Sequence, residues 1–390
     1  MSERSELADA LAWMLDQTHH LHPDDLAPIT EQALDMLGGS GTELYLADLA
    51  EDVLLRFSGD GEAELDIDAT VAGRAFRTSS TVAIASNGDR RLWVPIIDGA
   101  DRMGVLGVVV PDDHEATVAA IERIATLVAE IVVSRAHYGD ALALGRRRRS
   151  LSLASELRWA MLPPQTFATP QLTIAAVVAP AYEIAGDSFD YSANGSTVHV
   201  AVFDAMGHGL HASRVANLVV GGYRHARRTG LDLPATYAAI DSAVNTEFGD
   251  FTYATAVMAE LDLERGVLRV LLAGHHHPLL FRGHRFIGDL DVAPTLPLGI
   301  GDPDPVVGEF QLEPEDRVLL FSDGVIEARN TEGEAFGVER LAEFLVRAQS
   351  SDEPAAETMR RLSKAILAHQ GTPLEDDATL LSLQWRRVDI

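Results

Sequence analysis

The sequence predicts an α+β protein built in two parts, and three observations lead there. Short apolar, β-branched runs alternate with helical stretches along the 390 residues. The region 115–162 reads as mostly helical, until "LPPQ" at 162–165 stops it, because proline disfavours helical geometry in the residue before it. The chain is also long enough to bury two or three cores.

Composition narrows the function. There is no cysteine, which removes disulfides, thiolate zinc sites and every cysteine nucleophile, cysteine-based phosphatases included. The formal charge is −28, from 31 Lys and Arg against 59 Asp and Glu. Such a surface repels nucleic acid and anionic lipid, so neither is an expected partner. "GRRRRS" at 145–150 is the exception, and reads as a solvated helix face or a contact with an acidic neighbour. No apolar run reaches the roughly 18 residues of a membrane span. The N-terminus "MSERSELADALAWMLD" is acidic and amphipathic, unlike a cleavable signal, so a cytoplasmic location is expected.

In the first part, residues 24–37 read as a helix with Leu26, Ile29, Ala33 and Leu37 on one side. Strands follow in "TELYLADLA" and "DVLLRFS". "RRLWVPIID" and "RMGVLGVVVP", separated by "GAD", form a hairpin candidate. From 114 the pattern turns helical, with Ile121, Ile124, Val128 and Ile131 at three- and four-residue steps. On "VAGRAFRTSSTVAI", "LWVPI" and "GVLGVVVP", this part resembles a GAF sensory domain. The resemblance implies an α/β fold and an unknown small-molecule or protein input, or a fold that only dimerises. The first domain is set at 1–135 and a helical linker at 136–163, with a break possible at "HYGD" (137–140). Leu153, Leu157 and Met161 make a four-residue stripe suited to burial against a neighbour, the second copy of a homodimer included.

From 164 to 390 the alternation suits an α+β sandwich. Strand candidates are "LTIAAVVAPA", "TVHVAVFD", "TYATAVMAELD", "VLRVLLAG", "HPLLFRG", "DRVLLFSDG" and "ATLLSLQW". Helices are expected at 210–228, 234–248, 337–349 and 353–369.

Aspartates recur at the ends of these strands. "HVAVFD" ends in Asp204, "RVLLFSD" ends in Asp323, and "EDDATLLSLQW" places Asp376 and Asp377 just before a strand. "AGDSFD" adds Asp187 and Asp190. Each alone reads as a turn residue. Gathered, they would repel one another and raise each other's pKa unless a cation sat among them. Oxygen-only donors suit hard divalent ions such as Mg²⁺ and Mn²⁺.

The ordered blocks "AGDSFD", "VFDAMGHGLHAS", "TYATAVMAELD", "LLAGHHHPLLF", "PLGIG", "LLFSDGVIEARNTEGEAFGVERL" and "EDDATLL", led in by "ASELRWAMLPP", resemble the PPM (PP2C-like) serine/threonine phosphatases, most closely their bacterial SpoIIE/RsbU branch. The resemblance implies a PP2C-like αββα sandwich holding two Mn²⁺ or Mg²⁺ ions, with hydrolysis of phosphoserine or phosphothreonine by an activated water. It implies that Asp204 bridges the ions, that the Ala205 carbonyl ligates one, and that Asp323 and Asp376 complete the other's shell. Asp187 would hold metal-bound waters with Asp190 close by, and His208 is a candidate proton donor to the leaving group. Gly207 and Gly209 would let the backbone turn tightly beside the ions. The implied substrate is a phosphorylated STAS-type anti-sigma-factor antagonist. Two departures stand out: Ala185 where the family usually has glycine, and Ser188 where a bulky residue is common.

Two rivals are weighed. A catalytically silent scaffold would use the same fold to bind a partner. The "AGDSF" likeness to a GGDEF cyclase signature leaves "DAMGHG", "SDGVIEARN" and "EDDAT" unexplained. "GHHHP" at 274–278 invites a zinc reading, but consecutive residues of an extended segment face opposite ways, so a structural role is expected there.

Overall fold

The computed structural model describes residues 3–18, 21–57, 64–86, 88–184, 186–249, 251–301, 304–351, 353–371 and 376–387. The chain divides into two compact units, 1–150 and 151–390.

The first unit runs α1 (Glu3–Thr18), α2 (Leu26–Asp35), β1 (Ser40–Ala47), β2 (Val53–Arg56), β3 (Glu64–Asp66), α3 (Val71–Thr78), β4 (Val82–Ser86), β5 (Asp89–Asp98), β6 (Asp101–Val110), α4 (Glu115–Arg135) and α5 (Ala141–Leu144). Its strands form one antiparallel sheet in the order β3-β2-β1-β6-β5-β4. Side-chain alternation splits each strand between two cores. Leu44, Leu46, Leu92, Val94 and Ile96 pack with Met14, Leu34, Ile121, Ile124 and Val128 of α1, α2 and α4. Tyr45 and Trp93 face the other way, towards Phe76 of α3. The expected hairpin is β5–β6.

The arginine run is not helical. Arg146 Nε donates to the Ala47 carbonyl at 3.1 Å, and Arg148 pairs with Glu64 at 3.3 Å. The acidic-neighbour reading is the one realised.

The second unit begins with α6 (Leu153–Met161), which the sequence reading assigns to the linker. It continues through β7 (Thr166–Thr169), β8 (Leu172–Ala179), β9 (Asp187–Asn194), β10 (Thr197–Ala205), α7 (Gly209–Arg228), α8 (Leu233–Phe248), β11 (Ala254–Asp262), β12 (Val267–Ala273), β13 (Leu279–Arg282), β14 (Arg285–Asp289), β15 (Val307–Gln311), β16 (Arg317–Phe321), α9 (Asp323–Glu327), α10 (Gly337–Ser350), α11 (Ala355–Gln370) and β17 (Ala378–Trp385). One sheet has the order β15-β12-β11-β10-β9, the other β14-β13-β16-β17-β8-β7. Their inner faces share a core that includes Val200, Val202, Val257, Val270, Val318, Leu320, Leu381 and Ile174. Helices α7 and α8 cover the five-stranded sheet through Val215, Val219 and Ile240 against Phe203 and Met258. Helices α10 and α11 cover the other through Leu341, Leu345, Leu362 and Ile366 against Leu319 and Leu380. The layers are therefore αββα.

Helix α6 packs inside this unit because of its polar bonds. Ser152 caps it through the Ser155 amide, the Ser155 hydroxyl donates to the carbonyls of Tyr182 and Ile184, and Trp159 Nε1 donates to Ala181 at 2.7 Å. The face it buries is Ala154, Ser155 and Arg158. In the Leu153/Leu157/Met161 stripe, Leu153 is 63% exposed, while Leu157 and Met161 are half-buried. Among the described residues no helix is long and apolar enough to cross a membrane.

Candidate active site

Antiparallel register alone brings the first two aspartates together. Asp187 opens β9 directly opposite Asp204 in β10. The other sheet contributes from neighbouring strands: β16 ends at Phe321 and Asp323 begins α9, while Asp376 and Asp377 lead into β17. Ser322 fastens these pieces. Its amide donates to the Thr379 carbonyl at 3.0 Å, the Thr379 amide donates to its Oγ at 2.8 Å, and that hydroxyl donates to Asp187 Oδ2 at 2.6 Å. Asp377 Oδ2 accepts from the Gly186 amide at 2.9 Å. The crossing of α9 over the start of β17 is so close that a Cβ on Gly324 would lie 2.0 Å from the Asp377 carbonyl oxygen.

The carboxylates interact strongly. Burial, then Asp204 and Asp377, push Asp187 well above the usual carboxylate range. Asp204 is pushed up to about 7 by burial, then by Asp323, Asp376 and Asp377. Asp376 is raised by burial first, with Asp323 and Asp377 contributing. Five acidic groups from four separate segments thus feel one another. Among the described residues, no three His, Asp or Glu side chains already form a closed ligand set. The donor chemistry is nevertheless all oxygen and all anionic, with repulsion that a hard divalent cation relieves, so the residues present fit Mg²⁺ or Mn²⁺.

The remaining expected residues fall as follows. The Ala205 carbonyl sits beside Gly186, where a Cβ would approach it to 2.7 Å. Gly207 and Gly209 both adopt left-handed conformations, φ 94° and 65°. His208, between them, is the exposed residue preceding α7, and its ring makes no capping bond. Asp190 does not join the cluster. It is buried and held by Arg224, with Nε at 2.9 Å and Nη2 at 2.7 Å, and by Arg227. Its carboxylate is a tie between β9 and α7, since residues three apart on a strand face opposite ways. Ser188 is fully buried; Ala185 lies outside the described residues.

Three features carried little signal in the sequence. Asp377 is as much part of the cluster as Asp376. Arg158 of α6 is fully buried beside Asp187 and Asp377, with no hydrogen-bond partner for any guanidinium nitrogen, and burial lowers its pKa to about 10. His275 links the two sheets: Nδ1 lies 2.7 Å from Thr255 Oγ1 and Nε2 lies 2.9 Å from the Phe321 carbonyl. A carbonyl only accepts, so Nε2 carries the proton and Nδ1 accepts from Thr255. Burial brings this histidine down to about 4, keeping it neutral. Thr255 pairs with Asp204, and Phe321 precedes Ser322 and Asp323, so the ring spaces β11, beside Asp204, from the end of β16. His276 stacks on Phe321 and His277 bonds the Val292 carbonyl, so the three histidines serve different partners. The variant His275→Ala is expected to lose about 1–3 kcal/mol in urea unfolding and at least about tenfold in metal-dependent turnover. Loss of stability with full turnover would contradict the spacing role.

Residues 194–386 match the family model described as stage II sporulation protein E (SpoIIE). The phosphoserine phosphatase RsbU of Bacillus subtilis (strain 168) is 24% identical over 242 residues, spanning 61% of this chain and 70% of that protein. The likeness of the C-terminal unit to SpoIIE and RsbU supports a protein serine/threonine phosphatase. The fold of this unit is shared with the SiaA-PP2C domain of Pseudomonas aeruginosa, at 22% identity and a TM-score of 0.51, covering 60% of this chain and 94% of that one. The RsbU and RsbW domains of Rv1364c from Mycobacterium tuberculosis align at 29% identity with a TM-score of 0.48, over 57% of this chain. The chain spans 62% of that protein's length.

Proposed function

We propose that the chain is a cytoplasmic, Mn²⁺- or Mg²⁺-dependent phosphatase that removes phosphate from serine or threonine of a STAS-type anti-sigma-factor antagonist. The observation that carries this reading is the convergence of Asp187, Asp204, Asp323, Asp376 and Asp377 from both sheets at one end of the sandwich. Two divalent ions, when bound, supply an activated water near neutral pH and offset charge on the phosphoryl oxygens. The chain's own work is placement. Asp204 would hold the ions from the five-stranded sheet and Asp323 and Asp376 from the six-stranded one, with the Ala205 carbonyl as a neutral donor. Asp187, oriented by Ser322, would accept hydrogen bonds from waters on the ions. The left-handed glycines turn the chain tightly on either side of His208, which is exposed and would serve as the proton donor to the leaving alkoxide.

The substrate class rests on the relationship to RsbU, a phosphoserine phosphatase, rather than on a recognition feature in this chain. The decisive assay is release of phosphate from a phosphorylated STAS protein and from p-nitrophenyl phosphate. Dialysis against EDTA is expected to remove activity on both, and Mn²⁺ or Mg²⁺ to restore it. Activity that survives chelation would sink the metal-dependent reading; no activity on any phosphoprotein with metal present would favour the silent scaffold.

The first unit is proposed as a GAF-like regulatory domain (1–135), joined by a helical region from 136 to a phosphatase domain that takes in α6 and so begins near 151 rather than 164, and dimerising through residues 115–162. Its input acts by favouring one of two states with different metal or substrate affinity. Deleting residues 1–140 is expected to change turnover or its Mn²⁺ dependence at least threefold. A truncated enzyme identical in both would remove the regulatory role, and a monomer by light scattering would remove the dimer.

A further inference from the structure

At the far end of β16 and β17 from the aspartates lies a cleft of about 370 Å³ whose floor includes Arg317, Arg386, Thr173 and Gln384, with Gln349 and the start of α11 at its side. Five or six strand residues separate it from the metal-facing end, about 20 Å. The volume is at the lower end of small-molecule sites, about 300–1,000 Å³.

The cleft holds one cation, Arg317, with no hydrogen-bonded carboxylate. Arg317 is 6% exposed, its Nε is buried with no partner, and its Nη2 reaches only Gln384 Oε1, at 3.4 Å. That oxygen is shared with Arg386 Nη2 at 3.2 Å, while Arg386 Nη1 donates to Thr173 Oγ1 at 3.0 Å. Two carboxylates also line the cleft: Glu315 is paired with Arg386 inside it, and Glu353 is engaged outside it, so neither is hydrogen-bonded to Arg317. Glu315 accepts from Gln384 Nε2 at 3.0 Å and lies 3.4 Å from Arg386; Glu353 is held by Arg361 and by Thr358. A buried guanidinium with one weak bond is costly, and an oxyanion is what removes that cost. Burial, with Arg386 adding to it and Glu315 opposing it, lowers the Arg317 pKa.

Two further groups refine the ligand. The cleft meets the N-terminus of the 16-residue α11, whose Pro354 cap provides no side-chain bond to the first-turn amides. Such an end favours phosphoryl oxygens. Beside it, Gln349 Oε1 is buried without a partner and calls for a hydroxyl donor.

We propose that this cleft is a second site, separate from the hydrolytic one, which binds a small phosphate monoester carrying a free hydroxyl. Arg317 and Arg386 take the phosphoryl oxygens with the amides of α11, and Gln349 accepts from the hydroxyl. The site is independent of whether the aspartate cluster hydrolyses phosphoproteins.

The test is calorimetric titration of the metal-free full chain, in EDTA, with glycerol 3-phosphate and separately with inorganic phosphate. One saturable site for glycerol 3-phosphate is expected, weakened at least about tenfold in Arg317→Gln and in Arg386→Gln and unchanged in Asp204→Asn. Arg386 is partly exposed, so its variant keeps the test open if Arg317→Gln fails to fold. No saturable binding up to 10 mM (roughly the weakest useful affinity) would overturn the site. So would binding lost in Asp204→Asn but kept in folded arginine variants. Inorganic phosphate binding as tightly as the ester would overturn the hydroxyl-bearing monoester as its ligand.

Discussion

The variant Asp204→Asn is expected to lose metal-dependent hydrolysis by at least about 10²–10³-fold, the scale on which a single preorganised electrostatic group acts in a water-poor site. The substitution keeps shape and removes one charge. Asp204 lies opposite Asp187 and interacts with Asp323, Asp376 and Asp377, so it is the group that both sheets' carboxylates share. Titration calorimetry should show Mn²⁺ affinity falling with activity. The metal-free variant should be at least as stable as the parent, because one of several mutually repelling charges has gone. These opposite directions separate loss of a ligand from loss of the fold. A variant that binds Mn²⁺ as the parent does and turns over normally would remove Asp204 from the centre of the site.

The second large effect is steric. The variant Gly324→Ala forces a methyl group to within 2.0 Å of the Asp377 carbonyl oxygen, so α9 and the β17 lead-in must separate. Gly324 is fixed between Asp323 and the buried Val325, and the clashing atom is backbone, which yields little. Overpacking of this kind costs about 1–3 kcal/mol. The displacement falls between Asp323 and Asp376, whose relative placement the proposed chemistry requires, and misplacement by about 1 Å costs on the order of 10²-fold in rate. Urea unfolding and Mn²⁺-dependent turnover on one preparation check both. Unchanged turnover would mean that the α9–β17 crossing does not set the site. The glycine's φ is not in the left-handed region, so the clash alone is tested.

Much of this was legible in the sequence because it is local. The strands "TVHVAVFD", "DRVLLFSDG" and "ATLLSLQW" are apolar runs ending at or beginning beside aspartate, and they became β10, β16 and β17 with those aspartates at their ends. Helices expected at 210–228 and 234–248 run 209–228 and 233–248. What was not legible depends on partners far along the chain. Asp190 reads like Asp187 until Arg224 and Arg227, one α-helix away in sequence, claim both its oxygens. The histidine run gives no hint that its first member joins Thr255 to Phe321. The Leu153 stripe marks a regular period, yet the buried side of α6 is the polar one, because Ser155 and Arg158 answer backbone carbonyls and carboxylates that only the fold brings near. Period reports amphipathicity; it does not say which face finds a partner.

The six-stranded sheet places β17 between β16, the strand before it in sequence, and β8, roughly two hundred residues upstream. During synthesis, then, Asp187 and Asp204 leave the ribosome well before the segment that completes their surroundings. A nascent chain stalled short of residue 376 has a gap in the middle of a sheet and an unfinished acidic centre. A chain without residues 376–385 therefore lacks both an interior strand of that sheet and two of the five clustered carboxylates.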